Sequence, residues 1–460
     1  MTSARVPGPL LTWEQYAEIV TPLIEAAIRH RDAEAPELVS LDSPEALGRV
    51  IAREMHARHA VPAFDNSQMD GYALRSADIR DASPQRPITL TVGITTAAGD
   101  PRQQHVPGTA SPIMTGAVIP IGADTVVPIE ECVPNAFPVL RRATARVQPA
   151  HATATIDVVH SRDTPDAGAA ASADVMFLTP SEPGRFVRAA GQDRTRGALV
   201  GAPGDRLTAA RIGALIATGH TAAPVRRRLR VLVCATGDEL LPPAAERGAG
   251  AAIGSGIGLI PDINTPMLAA ALREAGAAVR ALRTSDDVAL FRERLTREAA
   301  RIDLIVTTGG ISAGAFEVVR LALQHEAVTF HSVALQPGGP QGSGTINADC
   351  RTIPIICLPG NPVSVLLSAE LFFLPALREA SGHPAGRNQA VRELAIGADS
   401  PADKHQVRRG VIEPDGRVRA LEPGSHLICD LADADVLLHL PVGVSHAAAG
   451  ASVLTWRIND

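Results

Sequence analysis

The sequence predicts a multidomain protein that combines a parallel α/β domain with β-rich domains and a helical N-terminal segment. Strand and helix patterns alternate from Leu229 to about Leu377, as in a parallel α/β sheet. Short β-rich runs broken by glycine and proline extend from Val61 to about Glu130, and further short runs follow from Gln389 to Asp460. The length of 460 residues suits about three or four domains, each with its own core.

The N-terminal segment has the pattern of two helices. Thr12 and Gln15 fit a capping box, and apolar residues recur at helical spacing down to about Arg31. Ser43 and Pro44 offer an N-cap followed by proline at the first helical position. A second helix is therefore expected to run from there to about His59.

The β-rich segment that follows has two clear strand candidates, Ile88–Ile94 and Thr125–Ile129. Ala150–Ala173 is rich in alanine, aspartate and threonine with weak periodicity. We expect a surface excursion there and assign it no function.

The α/β segment alternates predicted strands with predicted helices. The expected strands are Leu229–Ala235, Ala277–Leu282, Asp303–Thr308 and Ile353–Leu358. The expected helices are Asn264–Ala275, Asp286–Ala299, Gly314–His325 and one that begins at Pro362.

The composition excludes several functional classes. Hydrophobic residues make up 45% and charged residues 20% of the chain, which is typical of a folded globular protein in water. The net charge of −6 leaves no basic field for nucleic acid or an anionic membrane. No apolar run reaches the length of a membrane span, and the first residues lack the apolar stretch of a secretion signal. We therefore expect a cytoplasmic protein.

The five cysteines include no CxxC pair, which argues against a disulfide framework and a zinc ribbon, so buried free thiols are expected. Lys404 is the single lysine, and every other basic residue of the 43 is arginine.

The unusual motifs of the α/β segment fall at the carboxyl ends of predicted strands, where open α/β sheets bind ligands. They are Thr236–Glu239, Asp286–Asp287, Thr307–Gly314 and Leu358–Pro362. Glycines let the backbone approach a ligand, and helix N-termini present free N–H groups to oxyanions. Each motif alone could be ordinary turn or cap chemistry, but their number at one edge favours a site for an anionic ligand.

The same edge carries four acidic residues, Glu239, Asp262, Asp286 and Glu317. These carboxylates would repel an anion unless a divalent cation lay between them, and hard cations prefer oxygen ligands. Magnesium is the expected ion, and the four carboxylates are its candidate ligands.

Two segments of the β-rich region also stand out. Pro62–Ala73 places Asp65 and Asp70 close to an amide, a hydroxyl and a glycine, and Ile113–Ala117 places Thr115 beside a glycine. Either segment alone could be a structural turn.

Together, these segments resemble the molybdopterin molybdenumtransferase family, whose eukaryotic relative is the C-terminal part of gephyrin. The match runs in one order from about Thr12 to Asp460. The motifs that carry it are Phe64–Ala73, Ile113–Ala117, Gly122–Asp124, Gly191–Asp193, Thr236–Leu240, Gly309–Gly314 and Leu358–Ser364.

The resemblance implies insertion of molybdate into adenylated molybdopterin, with loss of AMP and help from magnesium. It also implies a homodimer whose site lies between the α/β domain of one chain and the β-rich domain of the other, and transient contact with a molybdopterin adenylyltransferase. Four domains are expected. They are a helical N-terminal domain (1–60 with 185–226), an inserted β-rich domain (61–184), an α/β molybdopterin-binding domain (227–382) and a small C-terminal β-barrel domain (383–460).

The family motifs also imply roles for individual residues. The expected catalytic residues are Asp65, Asp70, Thr115, Asp193, Glu239, Asp286 and Glu317. The expected substrate-binding residues are Asn66, Ser67, Gly309, Gly310, Ser312, Gly314, Pro337, Pro359, Gly360, Asn361, Pro362 and Ser364.

The chain departs from the family pattern at three positions where many members have lysine, which here are Ser332, Gln336 and Gly339. None of the three is arginine, although arginine replaces lysine elsewhere in the chain. Glu317 stands where aspartate is usual and keeps the charge.

Three hypotheses follow. The leading one is a working molybdenumtransferase, and the missing lysines motivate a second, a molybdopterin-binding carrier that does not catalyse insertion. The third is an adenylating enzyme of molybdopterin, because the same α/β domain type serves that step alone in related proteins. The Asp65–Ala73 segment and the C-terminal β domain argue against this third hypothesis.

Overall fold

The computed structural model of the chain describes residues 10–137, 140, 173–241, 258–311, 317–348 and 351–458. Ser312, Gly314, Cys350 and almost all of the Ala150–Ala173 excursion lie outside the described residues. The chain divides into two compact units, which are described separately. The first comprises residues 1–53, 202–209 and 222–460, and the second comprises residues 54–201 and 210–221.

The helices within the described ranges are numbered in chain order. They are α1 (Trp13–Ala33), α2 (Ala209–Ala217), α3 (Asn264–Glu274), α4 (Val288–Ala299), α5 (Val318–Ala322), α6 (Pro362–Phe372), α7 (Leu374–Ala380) and α8 (Ile428–Ala432). Short 3-10 turns lie at Ser76–Ile79 and Ile129–Glu131.

The strands are numbered in the same way. Those before residue 226 are β1 (Glu37–Ser40), β2 (Met55–His56), β3 (Asn66–Ser67), β4 (Gly71–Leu74), β5 (Ile88–Val92), β6 (Thr109–Ile113), β7 (Thr125–Pro128), β8 (Cys132–Val133), β9 (Asp174–Phe177), β10 (Val187–Arg188), β11 (Leu199–Gly201) and β12 (Ala222–Val225). Those after it are β13 (Arg230–Thr236), β14 (Ala278–Thr284), β15 (Leu304–Thr308), β16 (Ala327–Ser332), β17 (Leu335–Gln336), β18 (Pro340–Ala348), β19 (Arg351–Leu358), β20 (Gln389–Glu393), β21 (Ala398–Asp399), β22 (His405–Ile412), β23 (Val418–Ala420), β24 (Val436–Leu440), β25 (His446–Ala447) and β26 (Ser452–Arg457).

The first unit is built on a six-stranded sheet in the order β14-β13-β15-β19-β18-β16. The first four strands are parallel, as the alternating pattern predicts. Strand β18 then pairs antiparallel with both β19 and β16. The prediction of a parallel α/β domain is confirmed for these four strands, and the sheet as a whole is mixed.

Helices cover both faces of this sheet. On one face α1 buries Tyr16, Val20 and Ile24 in a core that also contains Val231 and Phe372. Helix α1 begins with the predicted capping box, in which the Gln15 amide donates to Thr12 Oγ1 and the Thr12 amide donates to Gln15 Oε1. Each fully buried apolar side chain of this kind stabilises the fold by about 1.5–3 kcal/mol.

The small C-terminal β domain is confirmed as a second sheet of the first unit, in the order β17-β22-β24-β26-β20. Strand β17 belongs to the segment between β16 and β18, and it pairs parallel with β22 through Leu335 and His405. This pairing fixes the residues just before β22 beside the Gln336–Pro340 turn.

The second unit contains a six-stranded sheet in the order β7-β4-β6-β5-β9-β8, which confirms the predicted β-rich region. Its core includes Tyr72, whose ring packs edge-on against Phe137 and Phe177. Strand β4 lies between β6 and β7, so the Pro62–Ala73 segment runs directly into an inner strand of the sheet.

One helix prediction was wrong, and another is confirmed only in part. Residues 41–48 form turns, and Val50 and Ile51 make isolated bridges to Arg206 and Val225, so tertiary pairing replaces the helix predicted to run from Ser43 to His59. Gly48 has a φ of +78°, which ends any helix there. The described part of the Gly314–His325 prediction contains only the five residues of α5.

Three of the cysteines, Cys132, Cys234 and Cys357, are buried free thiols, as expected, whereas Cys429 is exposed. No helix in the described residues is long and apolar enough to span a membrane.

Candidate functional site

A cavity of about 680 Å³ lies at the carboxyl ends of the parallel strands in the first unit. Strands β13, β15 and β19 end beside it, and its walls include Thr236, Gly309, Gly310 and Pro359. The Gln336–Pro340 turn and residues of the C-terminal β domain complete the lining. The structure therefore has a cavity at the edge where the sequence predicts a ligand site.

The Gly309-Gly310 turn gives the cavity a backbone wall. Both glycines have positive φ angles, +83° and +66°. A Cβ atom at Gly310 would lie 3.0 Å from Val319 Cγ2 and 3.2 Å from Thr236 Oγ1. A side chain here would be strained as well as crowded, so the tight turn requires glycine.

Helix α6 begins at the cavity, with Pro362 in its first turn and Asn361 as its N-cap residue. The Asn361 side-chain amide donates to Ser425 Oγ at 3.0 Å, and Ser364 of the first turn lines the cavity while being buried. Asn264 Nδ2 donates to the Gly360 carbonyl at 2.6 Å, which connects the start of α3 to the same loop. Pro362 has no amide hydrogen, and the Val363 amide donates to the Ser425 carbonyl at 3.3 Å. The Ser364 amide is therefore the group of this first turn that can receive an oxyanion.

Three of the four predicted acidic residues, Glu239, Asp286 and Glu317, line the cavity. Asp286 is held by an exchange of hydrogen bonds with Asp238. The Asp238 amide donates to Asp286 Oδ2 and the Asp286 amide donates to Asp238 Oδ1, both at 3.3 Å. The Glu239 carboxylate folds over Gly237, where a Cβ atom would overlap it. This turn needs a glycine at position 237, where φ is +144°.

The fourth acidic residue, Asp262, does not line this cavity. Its Oδ1 accepts the Thr265 amide at 3.0 Å, as a helix-capping residue does at the start of α3. It lines an adjacent cavity of about 600 Å³ together with Asp238, Arg283 and Arg294. Asp262 thus holds the start of α3 outside the main cavity, and its role as a metal ligand stays a prediction.

The fit to magnesium rests on the three carboxylates of the main cavity. Mg²⁺ is commonly bound by one or two carboxylates together with substrate phosphates and water, so a closed protein cage is not required. Glu239, Asp286 and Glu317 supply oxygen donors of the right kind. Within the described ranges, the group of metal-type side chains that converges within 4.8 Å is a different one, formed by His30, Glu34 and Asp303.

The His30, Glu34 and Asp303 group is already neutralised by arginine. Asp303 accepts hydrogen bonds from Arg227 at 2.5 and 3.0 Å and from the Arg230 side chain at 3.1 and 3.3 Å. Although burial raises the pKa of Asp303, these hydrogen bonds prevail and lower it to about 2. The group is therefore an ion-pair network of the fold, and a cation has no free negative charge to bind there.

Two of the three positions at which the chain lacks the lysine common in the family line the cavity. Gln336 and Gly339 line it, and Gln336 Oε1 accepts a hydrogen bond from Gln406 at 2.7 Å. Ser332 does not line it, and its carbonyl accepts the Leu11 amide. Among the described residues, the lining of the cavity does include one cationic side chain, which is Lys404 from the loop before β22.

Lys404 is half-buried, and no carboxylate of the described residues forms an ion pair with its ammonium group. It faces a cavity whose other charged lining residues are the carboxylates Glu239, Asp286 and Glu317. The ammonium group is therefore available to an anion. The site prediction lacked Lys404 and Asp238. Asp238 belongs to the Thr236–Glu239 motif, whereas no motif includes Lys404.

The remaining predicted acidic residues are Asp65, Asp70 and Asp193, which lie in the second unit. Asp70 Oδ1 accepts from the Thr115 amide at 2.6 Å and from Thr115 Oγ1 at 2.9 Å. Asp65 Oδ1 accepts the Ala190 amide at 2.7 Å, and the Asp193 amide donates to the Val61 carbonyl at 3.0 Å. The structure thus brings the four predicted residues of this unit to one set of adjoining loops.

Asn66 and Ser67 are buried within the same segment. Asn66 Nδ2 donates to the Phe64 carbonyl at 3.2 Å, and Ser67 Oγ donates to the Met69 carbonyl at 2.6 Å. Both side chains hold the loop that presents Asp65 and Asp70, and their direct contact with substrate stays a prediction.

Ser312 and Gly314 lie outside the described residues, and the other predicted substrate-binding residues fall into two groups. Those that line the main cavity are Gly309, Gly310, Pro337, Pro359, Gly360, Asn361 and Ser364. Pro362 is not a lining residue and instead begins α6.

Comparison with known proteins defines the class to which this fold and site belong. Residues 11–219 match the family model described as MoeA N-terminal region (domain I and II). Residues 232–379 match the model described as probable molybdopterin binding domain. The solved structure titled molybdopterin biosynthesis moea protein from Pyrococcus horikosii superposes with a TM-score of 0.71 at 25% identity, over 98% of this chain and 99% of that one. The fold is that of the MoeA class.

Two curated relatives identify the family within that class. Molybdopterin molybdenumtransferase 2 of Mycobacterium tuberculosis is 37% identical over 432 residues, which cover 91% of this chain and 95% of the relative. Molybdopterin molybdenumtransferase of Synechococcus elongatus is 30% identical over 88% of this chain and 91% of the relative. The chain belongs to the molybdopterin molybdenumtransferase family.

Proposed function

We propose that this chain inserts molybdate into adenylated molybdopterin and releases AMP, with magnesium as the cofactor. The observation that carries the proposal is the composition of the main cavity. Asn361 and Ser364 at the start of α6, three carboxylates and the chain's single lysine all line one space at the carboxyl ends of parallel strands.

The cavity suits a substrate that is both large and anionic. Its volume of about 680 Å³ lies within the usual range for pockets that bind small molecules and cofactors. The Gly309-Gly310 turn leaves the backbone accessible, and the first turn of α6 favours phosphate. Adenylated molybdopterin carries phosphates that match these features.

Glu239, Asp286 and Glu317 are the proposed magnesium-binding residues. A bound magnesium ion would screen the charges of phosphate and molybdate and act as a Lewis acid on phosphate oxygens. The Asp238–Asp286 hydrogen bonds fix the position of one of these carboxylates before substrate arrives. Preorganised charge of this kind reduces the reorganisation needed during the reaction.

Lys404 is the proposed anion-binding residue of the site. Gln336 and Gly339 provide no positive charge at the positions where lysine is common in the family, whereas the Lys404 ammonium group lines the same cavity. An ammonium group contributes a compact positive charge with three donors, which suits a tetrahedral oxyanion. We therefore place molybdate or a substrate phosphate next to Lys404.

We also propose a homodimer in the cytoplasm that contacts a molybdopterin adenylyltransferase transiently. In this proposal Asp65, Asp70, Thr115 and Asp193 contribute to catalysis in the other subunit. What supports their grouping is that hydrogen bonds draw their loops together in one region of the second unit. The division into four domains at residues 61, 185, 227 and 383 remains a prediction from sequence.

The alternative is a carrier that binds molybdopterin without catalysing insertion, and Gln336 and Gly339 are the observations that favour it. The two functions differ in one measurable product. The purified protein is mixed with adenylated molybdopterin, molybdate and magnesium, and AMP is measured. The enzyme releases AMP in an amount that depends on molybdate, and the carrier binds the substrate without AMP release.

A further inference from the structure

A second cavity in the first unit is lined by arginine. It has a volume of about 240 Å³ and lies where α1, α3 and α7 end and where the chain enters β13. The main cavity lies at the other end of β13, so the length of this seven-residue strand, about 20 Å, separates the two. We call this second cavity the arginine cleft.

Seven arginines line the arginine cleft, and Glu274 is the acidic residue among its lining residues. The seven are Arg31, Arg49, Arg206, Arg226, Arg227, Arg228 and Arg273. Three of them pair with carboxylates of the fold: Arg31 with Asp32, Arg49 with Glu37, and Arg227 with Glu34 and Asp303.

The other four arginines, Arg206, Arg226, Arg228 and Arg273, form no ion pair with any carboxylate in the described parts of the chain. The carboxyl ends of three helices meet here, and each carries about half a negative charge. These helix ends offset part of the positive charge of the four arginines. Arg31 donates to the Ala380 carbonyl at the end of α7. Four guanidinium groups set against Glu274 and three helix ends leave between one and two positive charges, about the charge of one phosphate monoester.

Arg206 is the residue most clearly built into the cleft. Its backbone is fixed by a bridge to Val50 and by the neighbouring hydrogen bond from the Gly48 amide to the Leu207 carbonyl at 2.8 Å. Its side chain runs between two glycine turns. A Cβ atom at Gly48 would lie 3.4 Å from Arg206 Nη2, and one at Gly382 would lie 3.5 Å from Arg206 Cβ. Arg206 Nε is shielded from solvent and has no acceptor among the described residues.

His383 shows the same positive field. Burial lowers the pKa of its imidazole, and the charges of Arg206 and Arg378 lower it further, while Glu274 raises it. A neutral imidazole leaves the surplus arginines without an additional positive neighbour and can donate a hydrogen bond to an anion.

We propose that the arginine cleft is a binding site for a phosphate group, either inorganic phosphate or a small phosphate monoester. Arg206 and Arg273, which come from separate segments of the chain, bind the phosphate. Arg226 and Arg228 add positive charge. The cavity volume accommodates a phosphate with a small organic group and falls below the range usual for drug-sized ligands. Guanidinium groups suit this ligand because their planar donors match two phosphate oxygens at once. This inference does not rest on the proposed enzymatic function.

Calorimetric titration of the full chain tests the site, with inorganic phosphate and glycerol 2-phosphate as separate probes in a phosphate-free buffer of low salt. Arg206→Gln should raise the Kd at least tenfold, and Arg273→Gln should raise it severalfold. Arg301→Gln is the matched control, because Arg301 is exposed and outside the cleft. This control should leave the Kd within twofold of the wild-type value.

Two further variants keep the result interpretable. Lys404→Gln removes the positive charge of the main cavity, and phosphate binding in the cleft should survive it. Arg206→Lys keeps a positive charge but lacks the planar guanidinium group, so it should raise the Kd by a smaller factor than Arg206→Gln. It also serves as the test variant if Arg206→Gln does not fold. Equal affinity for the two probes assigns the site to the phosphate ion, and tighter binding of the ester assigns it to a monoester.

The proposal is overturned if the wild-type chain shows no saturable binding of either probe. It is equally overturned if Arg206→Gln binds as well as Arg301→Gln, or if Lys404→Gln abolishes the binding that the Arg206 variants retain.

Discussion

Asp238 and Asp286 hold each other through two reciprocal hydrogen bonds, each from the backbone amide of one residue to the carboxylate of the other. They connect the end of β13 to the turn after β14 at the edge of the main cavity. Asp286 lines that cavity, whereas Asp238 lines the adjacent one. Asp238 is therefore a positioning residue for a proposed magnesium-binding carboxylate.

Asp238→Ala should raise the magnesium concentration needed for half-maximal AMP release by about tenfold, because residues that orient a metal ligand commonly contribute this much. Asp238→Asn keeps an acceptor oxygen for the Asp286 amide and should stay near the wild-type requirement. Magnesium titrations of both variants check this difference, and an unchanged requirement in Asp238→Ala would show that Asp238 does not position Asp286.

Lys404→Gln should raise the molybdate or substrate concentration at half-saturation by roughly tenfold or more, since a hydrogen bond to a charged group is worth about 1.5–3 kcal/mol. Lys404→Arg keeps the positive charge and should lose less. Because Gln336 lines the same cavity, Gln336→Lys added to Lys404→Gln should restore part of the affinity. Wild-type half-saturation in Lys404→Gln would remove Lys404 from the proposed site.

Thr115→Ala should lower activity and loosen the loop at residues 113–117, because it removes the 2.9 Å hydrogen bond from Thr115 Oγ1 to Asp70. The 2.6 Å bond from the Thr115 amide remains, so the loss of stability should be about 1 kcal/mol. Thr115→Ser keeps the hydroxyl and serves as the control. Turnover and urea unfolding of the two variants check the prediction, which is contradicted if Ser and Ala behave alike.

Asp303→Asn should destabilise the first unit by about 1.5–3 kcal/mol, because the buried Arg227 loses its charge-assisted hydrogen bonds to Asp303 and keeps Glu34 as its charged partner. The pH dependence follows from the lowered pKa of Asp303, which is about 2 against an ordinary value of 3.8. The folded state binds the proton less readily than the unfolded state, so this stabilisation is present above pH 4 and is lost as the pH falls towards 2.

Urea unfolding of the wild-type chain and Asp303→Asn across this pH range tests that sign. The difference between their free energies of unfolding should shrink as the pH falls from 4 towards 2. A difference that is constant or that grows on acidification would contradict the ion-pair assignment.

Much of the fold could be predicted because local patterns and tertiary packing agree. The capping box at Thr12 and Gln15 and the alternating pattern from Leu229 onward each favour the element that forms. The Ser43–His59 prediction failed because the cap-like Ser43-Pro44 pair is a weak local signal. Pairing of Val50 and Ile51 with distant segments outweighs it.

The antiparallel strands β16 and β18 were not predicted, and β18 is rich in glycine and polar side chains. Strand β18 contains Gly342 and Gly344, which allow close approach of neighbouring chains. A Cβ atom at Gly344 would overlap the Ala327 carbonyl, and one at Gly342 would lie 2.8 Å from the Phe330 ring. Such a strand is specified by its neighbours more than by its own pattern.

The motifs located the edge of the sheet but could not separate the roles of single residues at it. Asp262 and Asp286 look alike in sequence, yet one caps α3 and the other lines the main cavity. Lys404 is far from every motif, and it reaches the cavity because β22 pairs with β17. Long-range pairing of this kind is not visible in a single sequence.

The most direct measurement is single-turnover release of AMP from adenylated molybdopterin, followed at increasing molybdate with and without magnesium. Release that saturates with molybdate, requires magnesium and weakens in Lys404→Gln is the predicted result. Tight binding of adenylated molybdopterin without AMP release, at any molybdate concentration, would contradict the proposed transferase and favour a carrier.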